Sequence, residues 1–247
     1  MKLALLTDLH ANREAVSAVL AHARAEGAQR YAFLGDLVGY GADPGWVVDQ
    51  VREHVDRGAV AVRGNHDAAA VHGPLPSMNA DARRVIEWTR GQLDAAQLAF
   101  LEHLPMQVEE GDMIFVHANA RAPAEWAYIN ARADAVQSMH ACVQRYTFCG
   151  HTHIAALYHL SATGKAGEFS PTPGVAIPLS EQRRWLAIPS SAGAPRDGDP
   201  ATGYALFDAS ARTITFHRLP YDHAAAAARI RAAGLPERLA ERLNHGE

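Results

Sequence analysis

Five short stretches of this 247-residue chain each place oxygen or nitrogen side chains where an apolar run ends. They are Asp8-Leu9-His10, Gly35-Asp36, Gly64-Asn65-His66-Asp67, His117 after Phe115-Val116, and Gly150-His151-Thr152-His153. Four follow directly on an apolar run that reads as a strand, and the third follows a shorter one. Polar groups at the ends of successive strands converge on one rim of a sheet. The order of these motifs therefore asks for a fold in which strand ends meet, and for a metal centre where they do.

The chain alternates strand and helix over its first two-thirds. Lys2–Thr7 reads as a strand. Asn12 can cap the next helix, where Val16, Val19, Leu20 and Ala23 share one face. Tyr31–Leu34 is the second strand, and Asp43-Pro44 opens a helix with Asp as cap and Val47, Val48, Val51 and Val55 inward. Ala59–Val62 is a third strand, and Asn79 to about Leu104 reads as two helices divided near Gly91. Met113–Val116, a helix from about Asp134, and Tyr146–Cys149 follow. After Gly150 the runs Ile154–Ser161, Trp185–Ile188, Tyr204–Asp208 and Thr213–Leu219 carry no helix between them, while Thr163–Arg184 reads as a long loop or hairpin. This pattern predicts a mixed sheet packed on a second, more antiparallel one. A single domain over 1–247 is expected, with a helical tail from about Asp222 interrupted at Gly234-Leu235-Pro236.

Composition excludes several classes. A formal net charge of −4 argues against a dominant nucleic-acid surface. Two cysteines, Cys142 and Cys149, leave no disulfide framework or cysteine-based zinc site. No apolar run approaches the roughly 18 residues of a membrane span, and the opening strand has no signal-peptide layout. A reduced, cytoplasmic setting is the expectation, without membrane or nucleic-acid partners; oligomeric state is not legible.

The chemistry follows from the residue types. Asp8 and His10, one residue apart just past a strand, can reach one ion. Asp36 supplies two carboxylate oxygens, the natural bridge between two cations. Asn65 offers an amide oxygen, and His117, His151 and His153 add imidazoles. Such mixed ligation suits Mn²⁺, Fe or Zn²⁺ better than Ca²⁺ or Mg²⁺. Two such ions about 3.5–4 Å apart can hold a bridging hydroxide and clamp the oxygens of a phosphate. The other histidines read as surface or helix-face residues without a role.

The ordered motifs resemble those of the calcineurin-like metallophosphoesterase family, D-x-H, GD, GNH[DE], H and GHxH, and the match runs from Asp8 to His153. The resemblance implies an α/β fold of two mixed β-sheets packed as a sandwich and flanked by helices, with a dimetal site at one edge. It also implies that Asp8, His10, Asp36 and His153 hold one metal and that Asp36, Asn65, His117 and His151 hold the other. His66 would contact the phosphate and protonate the leaving oxygen, and Asp67 would hold His66 in orientation. The runs Gly35–Gly41 and Ala194–Pro200 are similar to a short bacterial and archaeal phosphodiesterase-like branch. Ala118-Asn119-Ala120 departs from the family's Gly-Ser-Pro, and Pro189–Gly193 from its Asn-Pro-Gly-Ser-Val-Gly. Both departures fall in loops that bear on substrate preference and leave the ligand set intact.

Outside the signature, Arg196 either contacts a substrate phosphate or anchors its loop through Asp197 or Asp199. Tyr40 and Trp126 flank the ligands and read as packing residues, with base stacking as the other option. Cys149 reads as a buried structural thiol. The expected activity is dimetal hydrolysis of a small or nucleotide-like phosphodiester. Alternatives are a phosphomonoesterase or protein phosphatase, a dinucleoside polyphosphate hydrolase, and a metal-binding scaffold without activity.

Overall fold

The computed structural model describes residues 1–75 and 78–247. Its first part alternates as the sequence indicates. β1 (Lys2–Leu6) leads to α1 (Arg13–Ala25), where the Asn12 side chain accepts from the Ala15 amide at 3.1 Å. β2 (Arg30–Phe33) leads to α2 (Pro44–Asp56), and β3 (Val60–Ala61) to α3 (Asn65–His72). Next come α4 (Ala80–Gln92) and α5 (Ala95–His103), then β4 (Gln107–Glu110), β5 (Met113–Val116), α6 (Arg132–His140) and β6 (Tyr146–Phe148). The strands β7 (Ala156–Ser161), β8 (Ala166–Phe169), β9 (Ala176–Pro178), β10 (Arg183–Ile188), β11 (Thr202–Asp208) and β12 (Thr213–Leu219) then run without a helix between them. α7 (His223–Ala232) and α8 (Glu237–His245) close the chain.

Among the described residues the strands form two six-stranded mixed sheets, ordered β3-β2-β1-β11-β12-β9 and β4-β5-β6-β10-β7-β8. β1, β2 and β3 are parallel neighbours in the first sheet, as are β5, β6 and β10 in the second. Parallel neighbours end on the same side. The loops after β1, β2, β3, β5, β6 and β10 therefore leave from one rim of the sandwich, and those loops carry the sequence motifs.

Both faces of the central strands are buried, which is why they read as apolar runs without alternation. Leu3 and Leu5 of β1 point between the sheets, against a layer that includes Phe115, Phe148, Trp185 and Phe207. Ala4 and Leu6 point the other way, onto Val16 and Val19 of α1 and Val47 and Val51 of α2. The outer face of the second sheet, through Ile114, Val116 and Leu186, is covered by Ala135 and Met139 of α6. The result is the expected α/β sandwich flanked by helices. No helix among the described residues is long and apolar enough to cross a membrane.

Three local readings need correction. Thr163–Arg184 is not a simple loop or hairpin: β8 pairs with β7 in one sheet, while β9 pairs with β12 in the other. The division between α4 and α5 falls at Leu93-Asp94 rather than Gly91, because Asp94 and Gln97 form a reciprocal capping box. Asp43 occupies the cap position of α2 without a capping bond, and its carboxylate faces Arg229 of α7 at 3.3 Å. β4 and α3 had no reading of their own.

Phe148 and Phe207 meet across the sheet interface with ring centroids 5.2 Å apart, and both are fully buried. Phe148→Ala should cost about 3–5 kcal/mol of unfolding free energy, the usual range for removing a buried ring. Urea denaturation reads this, and a loss under 1 kcal/mol would mean that the two sheets repack easily.

Candidate metal centre

The rim loops are fastened to one another through their backbones. The Asp8 amide donates to Gly35 O and the His10 amide to Asp36 O, both at 3.0 Å, joining the loops after β1 and β2. The Gly150 amide donates to His117 O at 2.8 Å, joining those after β5 and β6. The Ala192 amide donates to Thr7 O at 2.9 Å, linking the loop after β10 to the other sheet. The motif glycines follow from this crowding. A Cβ on Gly150 would run into Thr7 Oγ1, and one on Gly64 into Asp36.

Five of the predicted ligands, Asp8, His10, Asp36, His151 and His153, have φ between 47° and 70°. This left-handed backbone costs an L-residue roughly 1–2 kcal/mol each. It turns the chain sharply at the strand end and aims the side chains back over the rim.

The side chains converge on two points. At the first, His153 Nε2 lies 3.2 Å from Asp8 Oδ1 and 3.3 Å from His10 Nε2. His10 Nε2 is 3.8 Å from Asp36 Oδ2. At the second, His117 Nε2 lies 3.5 Å from the same Asp36 oxygen, 3.2 Å from Asn65 Oδ1 and 3.1 Å from His151 Nδ1. Asp36 thus belongs to both groups. All these residues except Asn65 are buried, and Asn65 is half-buried.

The remaining edges of these groups are fixed by the chain. The Nδ1 atoms of His10, His117 and His153 face the carbonyl oxygens of Val38, Leu34 and Ala194 at 3.1, 2.7 and 2.5 Å. A carbonyl can only accept, so Nδ1 carries the proton and Nε2 turns to the cluster. Asp8 Oδ2 accepts from Thr7 Oγ1 at 2.7 Å and from the His151 amide at 2.9 Å, while Asp8 Oδ1 is buried with no hydrogen-bond partner. Asp36 Oδ1 accepts from the His66 amide at 2.8 Å, leaving Oδ2 for the cluster.

Each group therefore presents mainly acceptor atoms to its centre. Lone pairs facing one another at hydrogen-bond distance in a buried site are unfavourable without a positive charge between them. The donor set is mixed nitrogen and oxygen, and it fits two borderline divalent cations that share Asp36.

Without a cation, a proton on His117 supplies part of that positive charge. Burial raises the Asp8 and Asp36 carboxyls, but the surrounding imidazoles outweigh it and hold both well below the usual carboxylate range. Burial lowers His10, and burial and then His117 lower His151 to about 4, so both are neutral and able to ligate at pH 7. Burial also works against charge on His117, yet Asp36 overrides it and raises this imidazole to about 9.

Asp67 does not do what the sequence suggested. Its Oδ1 accepts from the Leu37 and Val38 amides at 2.8 and 3.2 Å, and its Oδ2 from the Gly64 amide at 2.9 Å. It ties the loop after β2 to the start of α3 and does not hold His66. Burial, with Asp36 adding to it, pushes Asp67 up to about 7, while the amides that donate to it favour its charged form. His66 Nδ1 is buried without a hydrogen-bond partner, and its ring sits beside Tyr40 and His10 with centroids 4.5 and 5.0 Å away. Arg90 supports the far end of α3, donating to Ala70 O and Val71 O at 3.1 and 2.8 Å.

Arg196 does not pair with Asp197 or Asp199, because Arg218 takes both, at 2.8 and 3.4 Å. The Arg196 guanidinium instead lies over the Tyr40 ring at 5.9 Å. Tyr40 is wedged between His10 and His66, and Trp126 sets its edge on His117 at 5.8 Å, so both pack against site residues. Cys149 is fully buried, and burial raises its thiol above the usual range. The sequence reading missed Tyr128, which stacks on His151 with centroids 4.0 Å apart and planes at 17°. It lies in a loop segment without periodicity, and nothing local marks it.

A family model described as the calcineurin-like phosphoesterase superfamily domain matches residues 1–212. An uncharacterized protein of Methanocaldococcus jannaschii is 34% identical over 247 residues, covering 98% of this chain and 96% of the relative. The crystal structure of a metallophosphoesterase from Sphaerobacter thermophilus is 37% identical, covers 100% of both chains and superposes with a TM-score of 0.88. A hypothetical protein from Pyrococcus horikoshii, at 18% identity, covers 100% of this chain and 98% of that one with a TM-score of 0.79, a likeness of fold alone.

His117 must lose its proton to ligate a cation, so cation affinity should climb with pH up to about 9, with proton release on binding below that pH. The opposite sign holds for the metal-free fold. There the raised His117 contributes stability that is full below about 6.5 and is lost as pH rises through about 9. Calorimetric Mn²⁺ titrations in buffers of different ionisation enthalpy read the first effect, and an affinity that does not change with pH across this window would contradict it.

Proposed function

The chain belongs to the calcineurin-like phosphoesterase superfamily, and from that premise we propose that it cleaves small, nucleotide-like phosphodiesters with two divalent cations, Mn²⁺ in the first instance and Fe or Zn²⁺ as alternatives. Metal-dependent phosphoester hydrolysis is its chemical class. Preference for a diester, the identity of the ion and the roles of individual residues are the proposed part.

One observation carries the reading: two groups of acceptor atoms converge at the rim and share Asp36 Oδ2. Asp8, His10, Asp36 and His153 would hold one cation, and Asp36, Asn65, His117 and His151 the other. When bound, such a pair supplies Lewis acidity and neutralises charge on the phosphoryl group. His66 stands against the first group, with its ligand-capable nitrogen within 4.8 Å of the His10 ring nitrogen and the Asp36 carboxylate oxygen. It is placed to contact the phosphoryl group and to give a proton to the departing alkoxide. Arg196 has no carboxylate partner among the described residues, so its guanidinium is free to take a phosphoryl oxygen. Beside the site, past Tyr128, lies a groove with space for a second ester group, which favours a diester.

With added Mn²⁺, the protein should turn over bis-p-nitrophenyl phosphate faster than p-nitrophenyl phosphate, and Asp36→Asn should abolish both activities. Faster monoester turnover would promote the phosphatase reading. His66→Ala should retain metal and lose on the order of 10²–10⁴ in rate on an ester with a poor leaving group. An equal loss on good and poor leaving groups would remove the proton-donor role.

A further inference from the structure

Half of the large apolar side chains that are exposed among the described residues gather in one place. Tyr128, Ile154 and Phe169 are 47%, 47% and 44% exposed, and all three line the groove beside the metal centre together with Asn130, Thr152 and Arg196. The groove offers about 480 Å³, within the range of roughly 300–1,000 Å³ usual for small-molecule sites. It adjoins the centre. Thr152 lies between the ligands His151 and His153, and the Tyr128 ring lies flat on His151.

We propose that this groove binds a planar aromatic ester group of the substrate, stacked on Tyr128 and bordered by Ile154 and Phe169; the inference rests on the phosphoester reading of the adjoining centre. Three observations favour a flat ring over an aliphatic chain or a polyanion. Tyr128 is held in place before any ligand arrives, by the His151 ring on one side and by the buried neighbour Ile129 in the core beneath α6. A fixed aromatic face is worth most to another flat ring. The loop that carries it is also fixed. Asn119 Oδ1 accepts from the Arg121 and Ala122 amides at 3.1 and 3.0 Å, and Asn119 Nδ2 donates to Ala127 O at 2.9 Å. These bonds come from the segment Ala118-Asn119-Ala120, where the sequence departs from the family pattern. Finally, the charged lining consists of Arg196 and Glu168. One cation at the phosphoryl end suits a single phosphoester, and an acid among the lining residues opposes an extended polyphosphate backbone.

The test uses two non-hydrolysable ligands that share a headgroup, phenylphosphonate and methylphosphonate, titrated calorimetrically into the Mn²⁺-loaded protein. Phenylphosphonate should bind on the order of tenfold more tightly, the scale of one stacked ring. Tyr128→Ala should bring the ratio of affinities towards one, and Phe169→Ser should lower it several-fold. Metal content is measured alongside, and because Phe169 touches no proposed ligand, its variant keeps the test open if Tyr128→Ala loses metal. Equal affinities in the wild type, or a ratio that survives both substitutions, would overturn the ring site and leave phosphoester hydrolysis standing. Failure of both phosphonates to bind, with no turnover of either nitrophenyl ester, would remove the metal-centre reading and the ring site with it.

Discussion

Acceptor atoms crowded at one buried rim set the terms for the rest of this structure. Two carboxylates and four imidazoles, joined by the Asn65 amide, turn oxygen and nitrogen lone pairs towards two shared points. Burying even one unpaired carboxylate costs several kcal/mol. The chain offsets part of that cost with its own donors: Thr7 and the His151 amide on Asp8, and the His66 amide on Asp36. Asp8 Oδ1, which faces the first point, is left without a donor. A cation at each point would offset the remainder, and the carbonyls of Leu34, Val38 and Ala194 fix the imidazole orientations.

The same logic accounts for the backbone. Parallel strands in two different sheets deliver six loops to one side, but a strand end alone aims its side chains along the sheet rather than over the rim. Left-handed residues at Asp8, His10, Asp36, His151 and His153 make the turn. Their strain is held by hydrogen bonds between loops, by glycines where the chains pass too closely for a side chain, and by Asp67, which gathers three amides from two loops. Asp67 therefore positions the site through the backbone, a role that its place beside His66 in the sequence disguises.

Most of the framework was legible in the sequence because it depends on local signals. Apolar runs ending in Gly, Asp or His gave the ligand-bearing strands, and Asn12 and Asp222 marked helix starts. What escaped depends on tertiary context. β4 is polar and half-exposed, an edge strand with no apolar face to announce it. α3 is an alanine-rich helix of 8 residues whose opening turn is the motif itself, so the motif masked the helix. β8 and β9 belong to different sheets, which a Gly- and Pro-rich stretch gives no means of seeing. The pairing of Arg218, rather than Arg196, with Asp197 and Asp199 follows from a strand register, and the stacking of Tyr128 on His151 from loop geometry that Asn119 imposes.

The rim gathers the acceptor atoms, and the chain beyond it carries the groove lined by Tyr128, Ile154 and Phe169. The claim that everything else depends on is that two cations share Asp36. Diffraction from crystals grown with Mn²⁺, with anomalous difference maps recorded near the manganese edge, tests it most directly. The account predicts two peaks about 3.5–4 Å apart, one on each side of Asp36 Oδ2. A single peak, or peaks remote from Asp36, would contradict it.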